Sequence, residues 1–399
     1  VAPDPEEDST TYVDAESVDL AAAEAEPRER RARRLFGAAG RGVVAVAAAV
    51  VLVAAGVLWA VLANLDDSVK GGRVIDVPNS PDSADGAIDI LLVGNDSRTD
   101  NEGRPLPDDV LKQLRTEQKS GVATDTVVLI RVPEGGGRAT AVSIPRDLRV
   151  RIPDAPDGPI NTAYGVAKER AAEGLRDKGV TDERQLARES DDEGRRMLVQ
   201  VVQQVTGVRV DRYAELNLYG FYLLSEAIGG VEVCLRADAV DSDSGADFKA
   251  GTQSISGGDA LSFVRQRRGL PGGEADRIAR QQVFMAGLVD KVLSTGTLTD
   301  PATVSRLTDT LGRTVVIDED WNILDFARQA RELAAGDVDF VTAPAGTGTG
   351  PADLRAFVGA LTGDPTTTST AGPSESVAGP SETSVAPKAF SRRTPTCVN

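Results

Sequence analysis

Histidine is absent from this 399-residue chain, and that absence closes several routes to chemistry. It removes the Ser-His-Asp hydrolase, the His-ligated zinc centre and imidazole general-base catalysis together. The sequence holds neither a Gly-x-Ser-x-Gly nucleophile elbow nor a Gly-x4-Gly-Lys-Ser/Thr phosphate loop, so serine-elbow hydrolases and P-loop nucleotidases are excluded as well. Positive charge is outnumbered: 44 Lys and Arg face 61 Asp and Glu, for a net charge of −17 and a pI near 4.6. That balance argues against a nucleic-acid partner. Cysteine occurs twice and aromatic residues make up 4%. Chemistry here must use carboxylates, arginines, hydroxyls or an oxygen-bound metal.

What the chain does have is size and one long apolar run. With 41% hydrophobic residues it can bury one sizeable core and still carry tails. Gly42–Leu65 contains no charged residue, and as a helix it would span roughly 36 Å, enough for a hydrocarbon core of about 30 Å. Arg28, Arg30, Arg31, Arg33, Arg34 and Arg41 precede it, while Asp66 and Asp67 follow. The positive-inside rule therefore predicts a single-pass transmembrane helix at the cell membrane, with the N-terminus cytoplasmic and the large C-terminal part extracytoplasmic. A cleaved signal peptide is the alternative, disfavoured by the length of the run and its place behind an acidic leader. Residues 1–41 then read as a disordered acidic cytoplasmic tail ending in juxtamembrane arginines. Residues 66–85 read as an extracytoplasmic linker, 86–362 as the folded domain and 363–399 as a Thr/Ser/Pro-rich tail.

Within 86–362, apolar β-branched runs alternate with helical patterns. Residues 87–93, 126–132, 139–144, 213–218, 230–235 and 260–267 read as strands; 163–178, 183–206, 219–228, 278–293 and 321–333 read as helices. Such interleaving predicts a layered α/β/α domain around a central mixed β-sheet.

Ala260–Gln282 carries five arginines. Strand alternation places Arg265 and Arg267 on one face, while on the following helix Arg277 and Gln281 sit one turn apart with Arg280 beside them. Guanidinium forks bind phosphate oxygens in pairs and keep their charge at every relevant pH, so the segment reads as a cradle for a diphosphate. The alternative is a solvated helix whose Arg277 and Arg280 pair with Glu274 and Asp276. Polar residues also mark the strand ends: Asp96, Ser97 and Arg98 after the first, Asp125 before the second, Arg146 and Asp147 after the third. Two carboxylates without histidine, Asp96 and Asp125, suit Mg²⁺, a hard cation that shares oxygen ligands with substrate phosphates. Taken singly, each acid also fits turn or cap chemistry.

Ile90–Arg98, Thr124-Asp125-Thr126, Ser143–Asp147, Ile160-Asn161 followed by Ala163-Tyr164, Gly229–Val233 and Ala260–Gln282 resemble, in order, the motifs of the LytR-CpsA-Psr family of cell-envelope proteins. The resemblance covers almost the whole folded region. It implies transfer of a glycopolymer from a polyprenyl-diphosphate carrier to a peptidoglycan hydroxyl, forming a phosphodiester and releasing polyprenyl phosphate. It further implies that Asp96 and Asp125 hold Mg²⁺ and that Arg146, Arg265, Arg267 and Arg277 grip the diphosphate, with Asp125 among the catalytic residues. Gln281 adds an amide contact, and Arg98, Arg280 and Glu274 join it in binding substrate.

The chain departs from the family pattern twice. The arginine found two residues before the Asp of the Asp-Thr pair is Ala123 here, and the acid after the paired arginines is Glu274 in place of Asp. The general base stays open between Glu274 and Asp147. Alternative functions are hydrolysis of the same lipid diphosphate and a non-enzymatic lipid-carrier binding or scaffold role; the membrane span and acidic charge disfavour a transcriptional regulator. Residues 198–205 and 221–224 would either line a lipid tunnel or pack in the core. Cys234 and Cys397 lie, on this topology, where disulfides form, and a bridge between them and an unpaired arrangement stand level.

Overall fold

Period-two alternation in β1 (Ile88–Asn95) sets up the architecture. Leu91 and Val93 are almost completely buried on one side, while Ile90 and the half-buried Leu92 face the other. The structure is a computed structural model that describes residues 74–81, 86–100, 103–119, 121–134, 138–292, 315–319, 338–344, 349–362 and 397–399, with 306, 310 and 321. After β1 come α1 (Asp108–Gln113), β2 (Thr124–Val132), β3 (Ala139–Ser143), α2 (Ala163–Asp177), α3 (Glu183–Thr206) and β4 (Arg212–Leu216). Next are α4 (Leu218–Ala227), β5 (Val231–Leu235), β6 (Ala239–Asp241), β7 (Ala246–Phe248), β8 (Gly251–Ile255), α5 (Gly257–Arg265) and α6 (Glu274–Val292). The last described elements are β9 (Val315–Ile317), β10 (Val338–Thr342) and α7 (Pro351–Thr362).

Among the described residues, six strands form one sheet in the order β9-β4-β1-β2-β3-β10. β4 runs parallel to β1 and β10 parallel to β3, whereas β1/β2, β2/β3 and β4/β9 are antiparallel, giving the mixed sheet expected. On one face, Leu198, Val199, Val201 and Val202 of α3 pack against Leu91, Leu129 and Tyr213, and α7 adds Leu354 and Val358. Full burial of such side chains is worth roughly 1.5–3 kcal/mol each. The bounds of α3 follow from its ends. The Asp182 carboxylate accepts the N–H groups of Arg184 and Gln185, and Gly207 leaves the helix with φ 77°. A second core gathers the antiparallel β5/β8 ribbon with α4, α5 and α6 around Val231, Val233, Phe263 and Phe284.

Several expectations change. Residues 260–267 form no strand: α5 runs through Arg265, and Gln266 turns out of the helix at ψ 135°. The reason lies in spacing, since Ala260, Phe263 and Val264 form an i, i+3, i+4 stripe and the first two are fully buried. α6 begins at Glu274, ahead of the expected 278, and β4 stops at Leu216 because Asn217 caps α4 through the Gly220 N–H at 2.7 Å. Val74 and Val77, in the segment read as a linker, sit in the main core. Leu198, Val199, Val201, Val202 and Val205 belong to that same core, so they are packing residues. Cys234 and Cys397 form a disulfide, and Val398 runs parallel to β5 in a bridge with Leu235. The expected span at 42–65, residues 1–41 and 363–396, and 322–333 of the last expected helix lie outside the described residues. Among the described residues no helix is long and apolar enough to cross a membrane.

Candidate active site

Among the described residues, no helix packs directly on the sheet face opposite α3 where a cavity lies. Between that face and helices α4 to α6, this cavity of about 890 Å³ is lined by Leu92, Ile130, Ala214 and Phe340 from the strands and by Phe221, Leu224, Val264, Phe284 and Leu288 from the helices. The half-burial of Leu92 and Ile130 is the imprint of this space. Phe221 and Leu224 line this cavity while also packing with the second core. Charged side chains gather at one part of the lining, where β1 ends and β2 begins.

Asp125 owes its exposure to a register fault. Gly94 pairs with Thr126 and Asn95 with Thr124, so Asp125 is the extra residue of a β-bulge, a device that re-aims a side chain out of the ladder. Asp96 follows the same fault: its N–H donates to the Ala123 carbonyl at 2.9 Å, and the Ala123 N–H donates back to its Oδ1 at 2.7 Å. Arg98 and Lys119 each stand 3.3 Å from Asp96 Oδ2. Asp125 accepts from Arg146 and lies 3.7 Å from Arg267.

The arginines arrive from three elements. Arg265, the last residue of α5, donates to the Leu114 carbonyl at 3.1 Å. Arg267 and Arg268 sit on the following turn, whose N–H groups donate to Asp241 Oδ2 at 3.0 and 3.2 Å. Burial raises the Asp241 pKa, but these bonds and one from the Asp243 N–H outweigh it and hold the carboxyl below its usual range. Arg277, in the first turn of α6 and only 3% exposed, forms a two-pronged pair with Glu274, and Arg146 Nε is 4.0 Å from the same carboxylate. Gln282 ties α6 to the sheet through Ser143 Oγ at 3.0 Å and Thr342 Oγ1 at 3.2 Å. Burial, then the neighbouring Arg98 cation, lowers the Arg265 pKa; burial, then Arg146, lowers that of Arg267. These guanidiniums stay protonated at neutral pH, but they press on one another, and an anion between them would relieve both.

Asp96, Arg98, Asp125, Arg146, Arg265, Arg267, Arg277 and Gln281 therefore share one lining. Arg265 and Arg267 converge through a helix end and a turn, not through strand alternation. Glu274 reaches the cluster through Arg277 and Arg146. Asp147 is exposed and off the lining, so of the two candidate bases Glu274 is the one beside the arginines. Arg280 is placed elsewhere, fully buried over the Phe263 ring. Lys119 escaped the sequence reading because a lone lysine in a loop carries no pattern; it lines the same cavity and pairs with Asp96. Arg98 Nε and Asn161 Oδ1, also on the lining residues, are buried without a hydrogen-bond partner.

A family model matches residues 62–354. Cell wall biosynthesis protein LcpA of Corynebacterium glutamicum is 47% identical over 311 residues, a match covering 76% of this chain and 59% of that protein. Polyisoprenyl-teichoic acid–peptidoglycan teichoic acid transferase TagU of Oceanobacillus iheyensis is 27% identical over 269 residues, covering 63% of this chain and 70% of its own length. A solved LytR-Csp2A-Psr enzyme from Actinomyces oris has the same fold, with a TM-score of 0.51 at 18% identity over 74% of this chain and 96% of that one. This chain spans 59% of the length of LcpA. The family model, described as LytR_cpsA_psr, covers the sheet, the cavity and the arginine cluster together, and the chain belongs to that family.

Proposed function

We propose that this protein is a phosphotransferase that moves a glycopolymer from a polyprenyl-diphosphate carrier onto a peptidoglycan hydroxyl in cell-wall assembly. The observation that carries the reading is an apolar cavity of about 890 Å³ with six arginines on its charged lining, Arg98, Arg146, Arg265, Arg267, Arg268 and Arg277. A ligand matching both parts has a long hydrocarbon tail and a multiply charged head. The name of TagU, a polyisoprenyl-teichoic acid–peptidoglycan teichoic acid transferase, supports the same class of substrate.

The chemistry is displacement at phosphorus. An acceptor hydroxyl attacks the phosphorus next to the glycan, the bridging P–O bond breaks, and polyprenyl phosphate leaves with the electron pair. Arg265, Arg267 and Arg277 neutralise the charge that grows on the phosphate oxygens, and the unsatisfied Arg98 Nε offers one more donor. Glu274, paired with Arg277 and 4.0 Å from Arg146 Nε, takes the hydroxyl proton.

The aspartates fit Mg²⁺ by chemistry. Asp96 and Asp125 offer carboxylate oxygens only, with Asn161 Oδ1 unsatisfied on the same lining. Among the described residues no group of three or more metal-type ligands occurs, so an ion here would take its other ligands from phosphate and water, the habit of Mg²⁺. Bound there, it would add charge neutralisation at the diphosphate. The arginine-flanked apolar run at 42–65 supports a single membrane anchor with the domain extracytoplasmic. A reporter that is active only in the cytoplasm, fused after Thr362, should stay silent, and activity there would overturn this topology.

A charge-assisted phosphate contact is worth roughly 1.5–3 kcal/mol, against about 0.2–1 for an exposed ion pair. Arg267→Ala and Arg277→Ala should each weaken binding of a polyprenyl diphosphate by about tenfold or more. Arg→Lys should restore only part, since an ammonium cannot make the fork. Parental affinity in both alanine variants would reduce the cluster to surface charge and remove the reading.

A further inference from the structure

Of the five arginines in Ala260–Gln282, Arg280 alone takes no part in the cavity lining. It is completely buried, 4.9 Å over the Phe263 ring. Its Nε donates to the Asn399 main-chain carbonyl and its Nη1 donates to Gln266 Oε1 at 2.7 Å. Gln266 is equally buried and passes the contact on: its Nε2 donates to the Arg268 carbonyl at 2.9 Å.

Asn399 is itself held firmly. The Cys234–Cys397 disulfide stands two residues before it, the Val398 N–H donates to the Cys234 carbonyl at 2.9 Å, and the Arg236 N–H donates to the Val398 carbonyl at 2.9 Å. A second line leaves the same residue, from Asn399 Nδ2 to Asp276 Oδ2 at 3.4 Å, and that oxygen accepts the Gly272 N–H at 2.7 Å. Both ends of the turn between α5 and α6 therefore trace back to Asn399, and that turn carries Arg267 and Arg268. Its backbone is also held by Asp241, which takes the N–H groups of Arg267 and Arg268, and the Arg268 side chain pairs with Asp243 at 2.7 Å.

A fully buried guanidinium with no side-chain carboxylate hydrogen-bonded to it is a costly way to fill space. What it offers over an apolar side chain is a rigid fork whose donors point in fixed directions. We propose that Arg280 and Gln266 are positioning residues, through which the disulfide-anchored segment Cys397–Asn399 sets the place of Arg267 and Arg268 at the charged lining. This rests on the reading that those arginines bind a diphosphate.

The test uses the full chain in detergent and two probes that share a tail, geranylgeranyl diphosphate and geranylgeraniol. Gln266→Glu keeps an acceptor for Arg280 but loses the donor to the Arg268 carbonyl; Arg280→Met removes the bridge altogether. Each should weaken the diphosphate probe by roughly fivefold, the worth of one positioning hydrogen bond, and leave the alcohol's affinity unchanged. Parental diphosphate affinity in Gln266→Glu and Arg280→Met overturns the proposal, and so does equal weakening of both probes, which marks general loosening of the fold. Arg267→Ala separates the two levels. If it weakens the diphosphate while the other variants do not, the relay alone falls; if it binds as the parent does, the site reading falls and takes the relay with it.

Discussion

Asp125→Asn is expected to lower turnover of a polyprenyl-diphosphate-linked glycan by about 10²- to 10³-fold, the scale at which a single well-placed charge or donor acts in a transition state, while the thermal midpoint moves by a few degrees at most. The asymmetry follows from where the residue sits. Its side chain keeps 30% of its surface exposed, so its pairs with Arg146 and Arg267 contribute little to folding. The bulge that turns it out of the β1/β2 ladder is a backbone feature that asparagine preserves. What the substitution removes is the negative charge that would meet Mg²⁺ and that pairs with Arg146 and Arg267. Turnover of the glycan and calorimetry on the same preparation check both halves. An unfolded variant would make Asp125 a structural residue, parental turnover would take it out of the chemistry, and full activity of the parent in a chelator would end the metal role.

The largest stability effect should come from a residue that touches no substrate. Arg195, in α3, donates from Nε and Nη2 to the two carboxylate oxygens of Glu215 at 3.1 Å each, and Glu215 also accepts from the Tyr213 hydroxyl at 2.6 Å and Asn95 Nδ2 at 2.9 Å. The side chains of the pair are 10% and 5% exposed. Burial opposes the Arg195 charge, but Glu215, Tyr164 and Asp191 outweigh it and raise its pKa well above the ordinary value. Burial, then Glu215, raises the Tyr213 pKa, so the phenol stays a neutral donor.

Arg195→Ala strands the carboxylate without its cation and should cost about 3–5 kcal/mol, a fall in thermal midpoint of roughly 10 °C for a domain of this size. The double variant Arg195→Met/Glu215→Leu should recover much of that loss, because it removes the uncompensated charge as well. Denaturant titration measures both. A single variant within about 1 kcal/mol of the parent would mean that water reaches the carboxylate, against the burial seen here. The network also bears on the site. Asn95 Oδ1 accepts the Ser97 N–H at 3.0 Å, so it shapes the turn that carries Asp96 and Arg98.

Local signals sufficed for part of the molecule. The Asp182 cap and Gly207 stop bracket α3, and the β-branched runs of β1 to β3 read as strands without any knowledge of their partners. The residues that make a phosphate site plausible were also legible as types: arginines past α5, aspartates at strand ends, no histidine anywhere.

What the sequence could not settle were relations between distant residues. Whether Ala260–Arg267 is strand or helix depends on the Phe263 pocket formed with β5 and α6, since alternation and an i, i+3 stripe coexist in so short a run. The partners of β9 and β10, the bulge at Asp125 and the pairing of Cys234 with Cys397 across 163 residues are matters of register and long-range closure, which leave no local trace. The same holds for function within one motif. Arg277 and Arg280 are three residues apart and chemically identical, yet the first faces the cavity and the second is sealed beneath Asn399. Helix rotation against two different neighbours, an open apolar space and a docked chain segment, separates a substrate-facing arginine from a buried one.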